Sequence, residues 1–390
     1  MVHVAKELER QDFSIPLLIG GATTSKVHTA VKIEQHYKKA PSMHVLDASK
    51  SVTVVGGLLG GGKEELVESV KEEYERIRVN HSKRRQQKQF LSLEAARKNH
   101  FPISWQQEDL VAPKKSGLQV FEDFDLAELR KYIDWTPFFQ TWELHGRYPA
   151  ILEDEVVGEE ATRLFADAQS MMDKIVGEQW LTARGVCQVW PANADGDDIV
   201  LFTSDDRTGE LETFHSLRQQ AQKAKGASNM ALADFVAPLS TGLKDFVGGF
   251  AVTAGIGIEE RIKAFEADHD DYSSIMLKAL ADRLAEAFAE KMHELVRKDV
   301  WGYSADEAFD GEALIKEKYR GIRPAPGYPA CPDHTEKRTL FALLQAEEKA
   351  GISLTESLAM YPTAAVSGLY FAHPEAKYFG LRSPRKNFGQ

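Results

Sequence analysis

The chain has 390 residues, of which 43% are hydrophobic and 27% charged, a balance typical of a globular protein with two or three domains. The formal net charge of −11 argues against a nucleic-acid partner, because binding a phosphate backbone requires a concentrated basic surface. The two cysteines, Cys187 and Cys331, are far apart, so the sequence predicts a reduced, cytoplasmic protein with neither a disulfide framework nor a cysteine-based metal site.

A membrane protein is also not expected. No apolar run approaches the about 18–20 residues that span a bilayer. The first ten residues indicate an amphipathic, charged helix and not a signal peptide. One short basic run, 81–88, lacks interleaved aromatic residues, and we interpret it as part of a solvated linker.

Residues 1–72 have the pattern of an α/β segment. A helix over 4–11 precedes an apolar strand over 14–19 and the pair Gly20-Gly21. A second helix, a strand over 43–46 and a third helix ending near Leu59 follow, and this alternation predicts a parallel sheet with crossover helices. Two strands are too few for a stable domain of this kind, so we expect the chain to begin inside a fold.

The rest of the chain has a different composition. A charged, helical stretch over about 73–90 is predicted to be a linker. Residues 91–390 combine aromatic residues and turns with strands over 185–190 and 198–202 and a long helix over 273–298. Because these helices and strands do not alternate regularly, the sequence predicts an α+β domain with a mainly antiparallel, twisted sheet and flanking helices.

Two glycine-rich segments invite comparison with ligand-binding loops. Residues 57–63 match a phosphate-binding loop up to Lys63, but Glu64 stands where the magnesium-binding hydroxyl belongs, so we reject that interpretation. The glycines there are expected to end a helix. Gly20-Gly21 follows a buried strand, where the absence of a Cβ lets a ligand approach the backbone; an ordinary strand–helix turn explains the pair equally well.

Carboxylates stand at two further positions of interest. Asp134 follows a predicted helix and can either cap the next turn or accept a hydrogen bond from a ligand amine or hydroxyl. Asp282, Glu286 and Glu290 are spaced four apart on one face of the long helix, away from its apolar stripe. Such a row is usually a solvated surface, and the alternative is an acidic wall of a cleft.

The segment Arg323-Pro-Ala-Pro-Gly-Tyr328-Pro-Ala-Cys-Pro332 contains four prolines and is predicted to be a rigid, extended loop with little conformational freedom to lose on binding. Arg323 can hold a carboxylate with a forked pair of hydrogen bonds. Backbone carbonyls that Pro324 and Pro326 free from secondary structure can meet ligand donors, and Tyr328 can present an aromatic edge. A purely structural proline-rich turn is the alternative.

Several continuous segments resemble the S-adenosylmethionine-binding reactivation modules of cobalamin-dependent methionine synthases. They are the proline-rich segment and the strings Tyr132-Ile-Asp-Trp-Thr-Pro-Phe-Phe139, Ile151-Leu-Glu-Asp-Glu-Val-Val157 and Ser367-Gly-Leu-Tyr-Phe-Ala-His-Pro-Glu-Ala-Lys-Tyr-Phe379. The string Pro16-Leu-Leu-Ile-Gly-Gly-Ala-Thr-Thr-Ser-Lys26 resembles the last signature of corrinoid-binding domains. The resemblance extends from residue 1 to about 380.

The resemblance implies roles for particular residues. For S-adenosylmethionine the implied contacts are Asp134, Arg323, Tyr328, Tyr378 and Phe379. For cobalamin they are Gly20, Gly21 and Ala48, and Asp282 and Glu286 are implied to form the surface on which the cobalamin domain docks. The family's lower cobalt ligand, a histidine in an Asp-x-His-x-x-Gly loop, has no counterpart in this sequence, so the cobalamin site is expected to be incomplete.

The resemblance also implies an organisation: the C-terminal part of a cobalamin-binding, Rossmann-like domain over 1–72, a linker over 73–90 and the activation domain over 91–390. In such enzymes S-adenosylmethionine remethylates oxidised cobalamin after an electron arrives from a flavodoxin-like reductase. Cobalt is the nucleophile, so no acid–base pair and no metal site are expected in this chain. Zinc, homocysteine and folate are handled by modules elsewhere in the enzyme.

Two other functions remain open at this point. The chain could be a docking module for a cobalamin domain or a reductase without S-adenosylmethionine chemistry of its own. It could instead be an independent small-molecule methyltransferase, although the glycine-rich cofactor loop after a first strand is absent from the sequence.

Overall fold

The computed structural model describes residues 1–20, 25–45, 48–86 and 89–380 of the chain. The chain divides into two compact units, Met1–Phe90 and Leu91–Gln390. None of the helices in the described ranges is long and apolar enough to cross a membrane.

The first unit alternates helices with two short strands. Strands β1 and β2 pair in parallel with Leu17 opposite Ser42 and Ile19 opposite His44, so the predicted parallel pairing is confirmed. Ser25 caps the second helix, since its Oγ accepts a hydrogen bond from the His28 backbone N–H at 3.1 Å. The elements are α1 (Val2–Arg10), β1 (Leu17–Ile19), α2 (Lys26–His28, continued by a π-helical turn over Thr29–Ile33 and a 3-10 turn over Glu34–His36), β2 (Ser42–His44), α3 (Ala48–Leu59) and α4 (Lys63–Gln86).

Helix α4 extends through much of the segment predicted to be a linker. Within that segment Tyr74 is buried, and its hydroxyl accepts the His44 backbone N–H at 2.8 Å. Arg78 lies one turn further along and pairs with Glu34 at 2.6 Å. These contacts attach the middle of the helix to β2 and to the 3-10 turn over Glu34–His36 of its own unit.

The second unit is built on a six-stranded sheet, flanked by helices. The strand order is β10-β7-β4-β5-β6, with β3 pairing beside β4, and these strand pairs are antiparallel. The predicted α+β domain with a mainly antiparallel sheet is therefore confirmed. Its strands are β3 (Gln119–Phe124), β4 (Thr182–Asp195), β5 (Asp198–Phe202), β6 (Glu210–His215), β7 (Asp245–Ile256) and β10 (Ala365–Tyr370), and a separate hairpin pairs β8 (Ser353–Leu354) with β9 (Met360–Tyr361).

Helices of this unit pack on both faces of the sheet. They are α5 (Leu93–Lys98), α6 (Leu126–Leu129), α7 (Thr136–Thr141), α8 (Gly158–Gly177), α9 (Ile258–Ala267), α10 (Asp271–Leu295), α11 (Gly311–Ile315), α12 (Glu336–Leu344) and α13 (Ala346–Ala350). Short 3-10 turns occupy Gln107–Asp109, Arg130–Tyr132, Ala150–Glu153, Leu232–Phe235 and Leu239–Thr241, and a π-helical turn over Val296–Val300 follows α10.

Hydrophobic cores lie on both faces of this sheet. On one face the side chains of β7 at Phe250 and Val252 pack with those of α10, including Phe288. On the other face Val247 and Ala251 pack with α12 and α13. Because both faces of β4 and β7 are covered, these strands do not show the alternation of apolar and polar residues that marks a half-buried strand.

Candidate functional site

Two adjoining cavities, of about 450 and about 490 Å³, form a cleft beside helix α10 in the second unit. Both cavities are lined by Glu286, Glu317, Arg323 and Tyr328. The first cavity extends toward Asp134. The second is completed by 378–380 at the end of the described chain. Segments separated by almost 250 residues therefore meet at one cleft, and they include the residues predicted to contact S-adenosylmethionine.

The segment Arg323–Pro332, here called the strap, is attached to the edge of the sheet. Ile322 exchanges two backbone hydrogen bonds with Phe371, both 3.0 Å, and the Leu369 N–H donates to the Pro324 carbonyl at 2.9 Å. Only the start of the strap is therefore extended. The Pro324 carbonyl is one of those engaged by the sheet rather than freed from secondary structure.

Beyond Pro324 the strap folds back on itself in a tight turn. The Gly327 N–H donates to the Cys331 carbonyl at 2.7 Å, and the Cys331 N–H donates to the Tyr328 carbonyl at 2.9 Å. Gly327 has a φ of +101°, and a Cβ added there would lie 2.2 Å from Cε1 of His334. The positive φ therefore favours glycine, whereas the His334 ring is exposed and a side chain at position 327 would have to displace it.

Arg323 lies at the centre of the cleft. Its Nη1 donates to Glu290 Oε2 at 2.6 Å and to the Tyr319 hydroxyl at 2.9 Å. Burial by itself disfavours the charged guanidinium, but the Glu290 carboxylate outweighs it and raises the pKa of Arg323 above its usual value. The side chain is therefore a fixed cation at the wall of both cavities.

Asp134 supports the turn that follows it and also lines the cleft. Its Oδ1 accepts the Thr136 backbone N–H at 2.9 Å, which supports the start of α7. The same residue lines the first cavity, where its carboxylate can meet a ligand donor. Capping and ligand binding do not exclude each other, because a carboxylate has acceptor sites on two oxygens.

The three aromatic residues predicted to contact a ligand all line the second cavity. Tyr328 is 62% exposed, whereas Phe379 is buried. The hydroxyl of Tyr378 accepts the Arg323 backbone N–H at 3.0 Å, which joins the C-terminal segment to the strap. Gln219 fixes that segment from the other side, because its Nε2 donates to the Gly380 carbonyl at 2.6 Å.

The acidic row on α10 is split by the fold. Asp282 is exposed and does not line either cavity, whereas Glu286 lines both. Glu290 is buried and is the ion-pair partner of Arg323. The row is therefore not uniformly exposed to solvent: Asp282 is exposed, whereas Glu286 and Glu290 line the cleft.

Sequence reasoning missed Glu317 and the pairing role of Glu290. Glu317 lines both cavities, and burial raises the pKa of its carboxyl. It lies between α11 and the strap, outside any periodic pattern. Its proximity to Arg323, six residues on, was the one local signal.

In the first unit, Gly20 follows β1 directly and is exposed. A Cβ there would lie 3.2 Å from the Val45 carbonyl oxygen, so close packing between the two strand ends also accounts for this glycine. Gly21 lies outside the described residues. Ala48 begins α3, and its side chain likewise lies outside what is described.

Known proteins resemble this chain at the level of family and of structure. The family model described as "Vitamin B12 dependent methionine synthase, activation domain" matches residues 125–387. A crystal structure described as "the MetH Reactivation Domain bound to AdoHcy" is 54% identical, with a TM-score of 0.73, and the match covers 75% of this chain and 89% of that chain. The resemblance predicted from sequence is confirmed, and the chain belongs to the family of vitamin B12-dependent methionine synthases, whose activation domain it contains.

Proposed function

We propose that the cleft beside α10 binds S-adenosylmethionine and that this chain acts as the reactivation module of a cobalamin-dependent methionine synthase. The observation that carries the proposal is the 54% identity to a reactivation domain described as bound to AdoHcy, which is S-adenosylmethionine without its transferable methyl group. The cleft also brings together Asp134, Arg323, Tyr328, Tyr378 and Phe379 from distant parts of the chain.

We assign the guanidinium of Arg323 as the group that binds the ligand's carboxylate. Among the described residues, the hydrogen bonds to this side chain use Nη1. The parallel N–H groups of Nε and Nη2 are left to take a planar carboxylate in a forked geometry. Asp134 is then available for the ligand's ammonium or a ribose hydroxyl.

The charge of the first cavity suits a cationic ligand. Four carboxylates line it against three cations, which leaves one net negative charge; these residues are Asp134, Glu286, Glu290, Glu317, Lys131, Arg283 and Arg323. S-Adenosylmethionine carries one net positive charge at neutral pH, since its sulfonium and ammonium outnumber its carboxylate. The product of methyl transfer has lost the sulfonium charge and is expected to be held less strongly by the same carboxylates.

The chain's part in the chemistry is positioning. Cobalamin bound in the full-length enzyme would supply the reduced cobalt that attacks the methyl carbon. S-Adenosylhomocysteine would leave with the electron pair of the sulfur–carbon bond on its sulfur, so no residue of this chain would have to donate or accept a proton. Holding the ligand by its amino-acid end fixes where the methyl group points, and such orientation can lower a barrier by several kcal/mol.

The remaining roles follow from family membership and are part of the proposal. Gly20, Gly21 and Ala48 would contact the cobalamin, and the exposed Gly20 at the end of β1 fits an approaching ligand. Asp282 and Glu286 would face the docked cobalamin domain. A flavodoxin-like reductase would donate the electron, zinc would be bound by another module, and the two free, buried cysteines fit a reducing cytoplasm.

Isothermal titration calorimetry tests the ligand assignment. The wild-type chain should bind S-adenosylmethionine, and Arg323→Ala should weaken binding about 10- to 100-fold, because a hydrogen bond to a charged group contributes roughly 1.5–3 kcal/mol. Arg163→Ala is the matched control, since Arg163 is exposed on α8 and pairs with Glu160. The affinity of Arg163→Ala for S-adenosylmethionine should equal that of the wild type.

Two results would overturn the assignment: a wild-type chain that does not bind S-adenosylmethionine, or an Arg323→Ala variant with unchanged affinity. The alternative of a docking module without S-adenosylmethionine chemistry predicts a different pattern. A flavodoxin or a cobalamin domain would raise the unfolding temperature, whereas S-adenosylmethionine would not.

A further inference from the structure

Tyr319 is in contact with Arg323 but not with the cleft. Its hydroxyl accepts a hydrogen bond from Arg323 Nη1 at 2.9 Å. The side chain is buried and lines neither cavity. Glu290 accepts the second Nη1 hydrogen bond, so the two together use both hydrogens of that nitrogen.

The ring of Tyr319 is itself held from behind. The guanidinium carbon of Arg297 lies 4.0 Å from the ring centroid, and the His293 ring meets it edge-on at 4.9 Å. Arg297 is fully buried and makes a two-point ion pair with Glu307, with nitrogen–oxygen distances of 2.7–2.9 Å. A planar pair of this kind has little freedom to rotate.

These contacts form a continuous series from the interior to the cleft: Glu307, Arg297, Tyr319 and Arg323. A guanidinium in solution samples many orientations, and only a few present its Nε/Nη2 edge to a carboxylate in the cleft. A fixed acceptor on Nη1 removes most of those orientations before the ligand arrives, which lowers the entropy lost on binding.

We propose that Tyr319 is a positioning residue: its hydroxyl, braced by the Arg297–Glu307 pair, fixes the plane of Arg323 so that the free edge of the guanidinium receives the ligand's α-carboxylate. The inference rests on the proposed S-adenosylmethionine site and adds to it a residue that does not touch the ligand. It predicts that Tyr319 matters only for ligands that have this carboxylate.

The test measures the affinities of two ligands by calorimetry: S-adenosylmethionine and its decarboxylated analogue, which keeps the adenosine, sulfonium and amine. In Tyr319→Phe the affinity for S-adenosylmethionine should fall about tenfold, near the lower limit of what a hydrogen bond to a charged group contributes. The affinity for the decarboxylated analogue should change by less than about twofold. In an Arg323→Ala background, Tyr319→Phe should have no further effect.

Tyr74→Phe is the matched control. Tyr74 is also a buried tyrosine with a hydrogen-bonded hydroxyl, but its partner is the His44 backbone N–H and not Arg323. This control variant should leave the affinities for both ligands within about twofold of the wild type. Arg297→Lys is a second variant, which keeps the Tyr319 hydroxyl but removes the planar group behind its ring, and it should show the same ligand-selective loss to a smaller extent.

The outcomes separate the inference from the function on which it rests. If the wild type does not bind S-adenosylmethionine, the proposed function fails. If the wild type binds it but Tyr319→Phe weakens both ligands equally, or neither, then Tyr319 is an ordinary core residue and the positioning role is wrong. Should Tyr319→Phe fail to fold, the ligand selectivity of Arg297→Lys decides between these outcomes.

Discussion

Replacing Glu307 by Gln tests whether the buried ion pair behind the cleft stabilises the second unit. The side chain of Arg297 is 0% exposed and that of Glu307 6%. Three hydrogen bonds join them, at 2.7, 2.8 and 2.9 Å. The amide of glutamine is neutral, and its NH₂ group would face guanidinium donors, so the substitution leaves a buried cation without its counter-ion.

Breaking a buried pair by removing one partner costs about 3–5 kcal/mol. At about 2 °C per kcal/mol for a unit of this size, the unfolding temperature of Glu307→Gln should fall by roughly 6–10 °C. Urea unfolding gives the loss of free energy and a thermal ramp gives the fall in unfolding temperature. Tryptophan fluorescence can follow both, because all six tryptophans lie within the second unit, at positions 105, 135, 142, 180, 190 and 301. The signal therefore reports that unit alone.

Glu160→Gln supplies the comparison. Glu160 pairs with Arg163 at 2.7 Å, but the side chains of Glu160 and Arg163 are 54% and 73% exposed, so losing the pair should cost no more than about 0.5 kcal/mol. If Glu307→Gln loses less than about 1 kcal/mol, or no more than Glu160→Gln, the buried pair does not stabilise the fold in the way its geometry indicates.

Three further predictions concern the strap, a buried carboxyl and the core. Gly327→Ala should weaken S-adenosylmethionine binding about tenfold in calorimetry, because a φ of +101° is strained for any residue with a Cβ and the new methyl would also displace the His334 ring; an unchanged affinity would show that the strap's conformation is unimportant. Burial raises the pKa of Asp245 to about 6, so between about pH 4 and 6 this carboxyl binds more protons in the folded state than in the unfolded state, and its contribution to stability should fall by about 2 kcal/mol as the pH rises. Asp245→Asn should lack that loss in urea unfolding at the two pH values, and parallel profiles would contradict it. Phe288→Ala should cost about 3–5 kcal/mol because the side chain is fully buried, whereas Val156→Ala, at a site 89% exposed, should leave the denaturation midpoint unchanged.

The candidate site could be predicted from sequence only where a residue stood in an unusual local pattern. The prolines of the strap marked Arg323, and a helix boundary marked Asp134. Glu317 and Tyr319 stand in no such pattern, and their roles come from what the fold places beside them. The spacing of the acidic row on α10 showed which residues share a face, but not where that face leaves the solvent and enters the cleft.

Strand β7 illustrates the same limit for the fold. Its sequence, Asp245–Ile256, contains two adjacent glycines and apolar residues on both faces, so no periodicity of two identifies it as a strand. Strand β4 is 14 residues long, although only a part of it, 185–190, was predicted as a strand. Both strands are covered by helices on both faces, and that covering depends on residues far away in the chain.

Composition and local periodicity determined the class of each unit and indicated a mainly antiparallel sheet, and the resemblance of several continuous segments indicated the family. These features depend on short-range backbone preferences and on side chains within a few positions of each other, which a sequence displays directly. The tertiary structure alone decided that Arg323 is paired with Glu290, that Tyr319 lies behind it and that Tyr378 joins it from 55 residues away. Such contacts follow from how the helices and the strap pack against the sheet, and no local pattern encodes them.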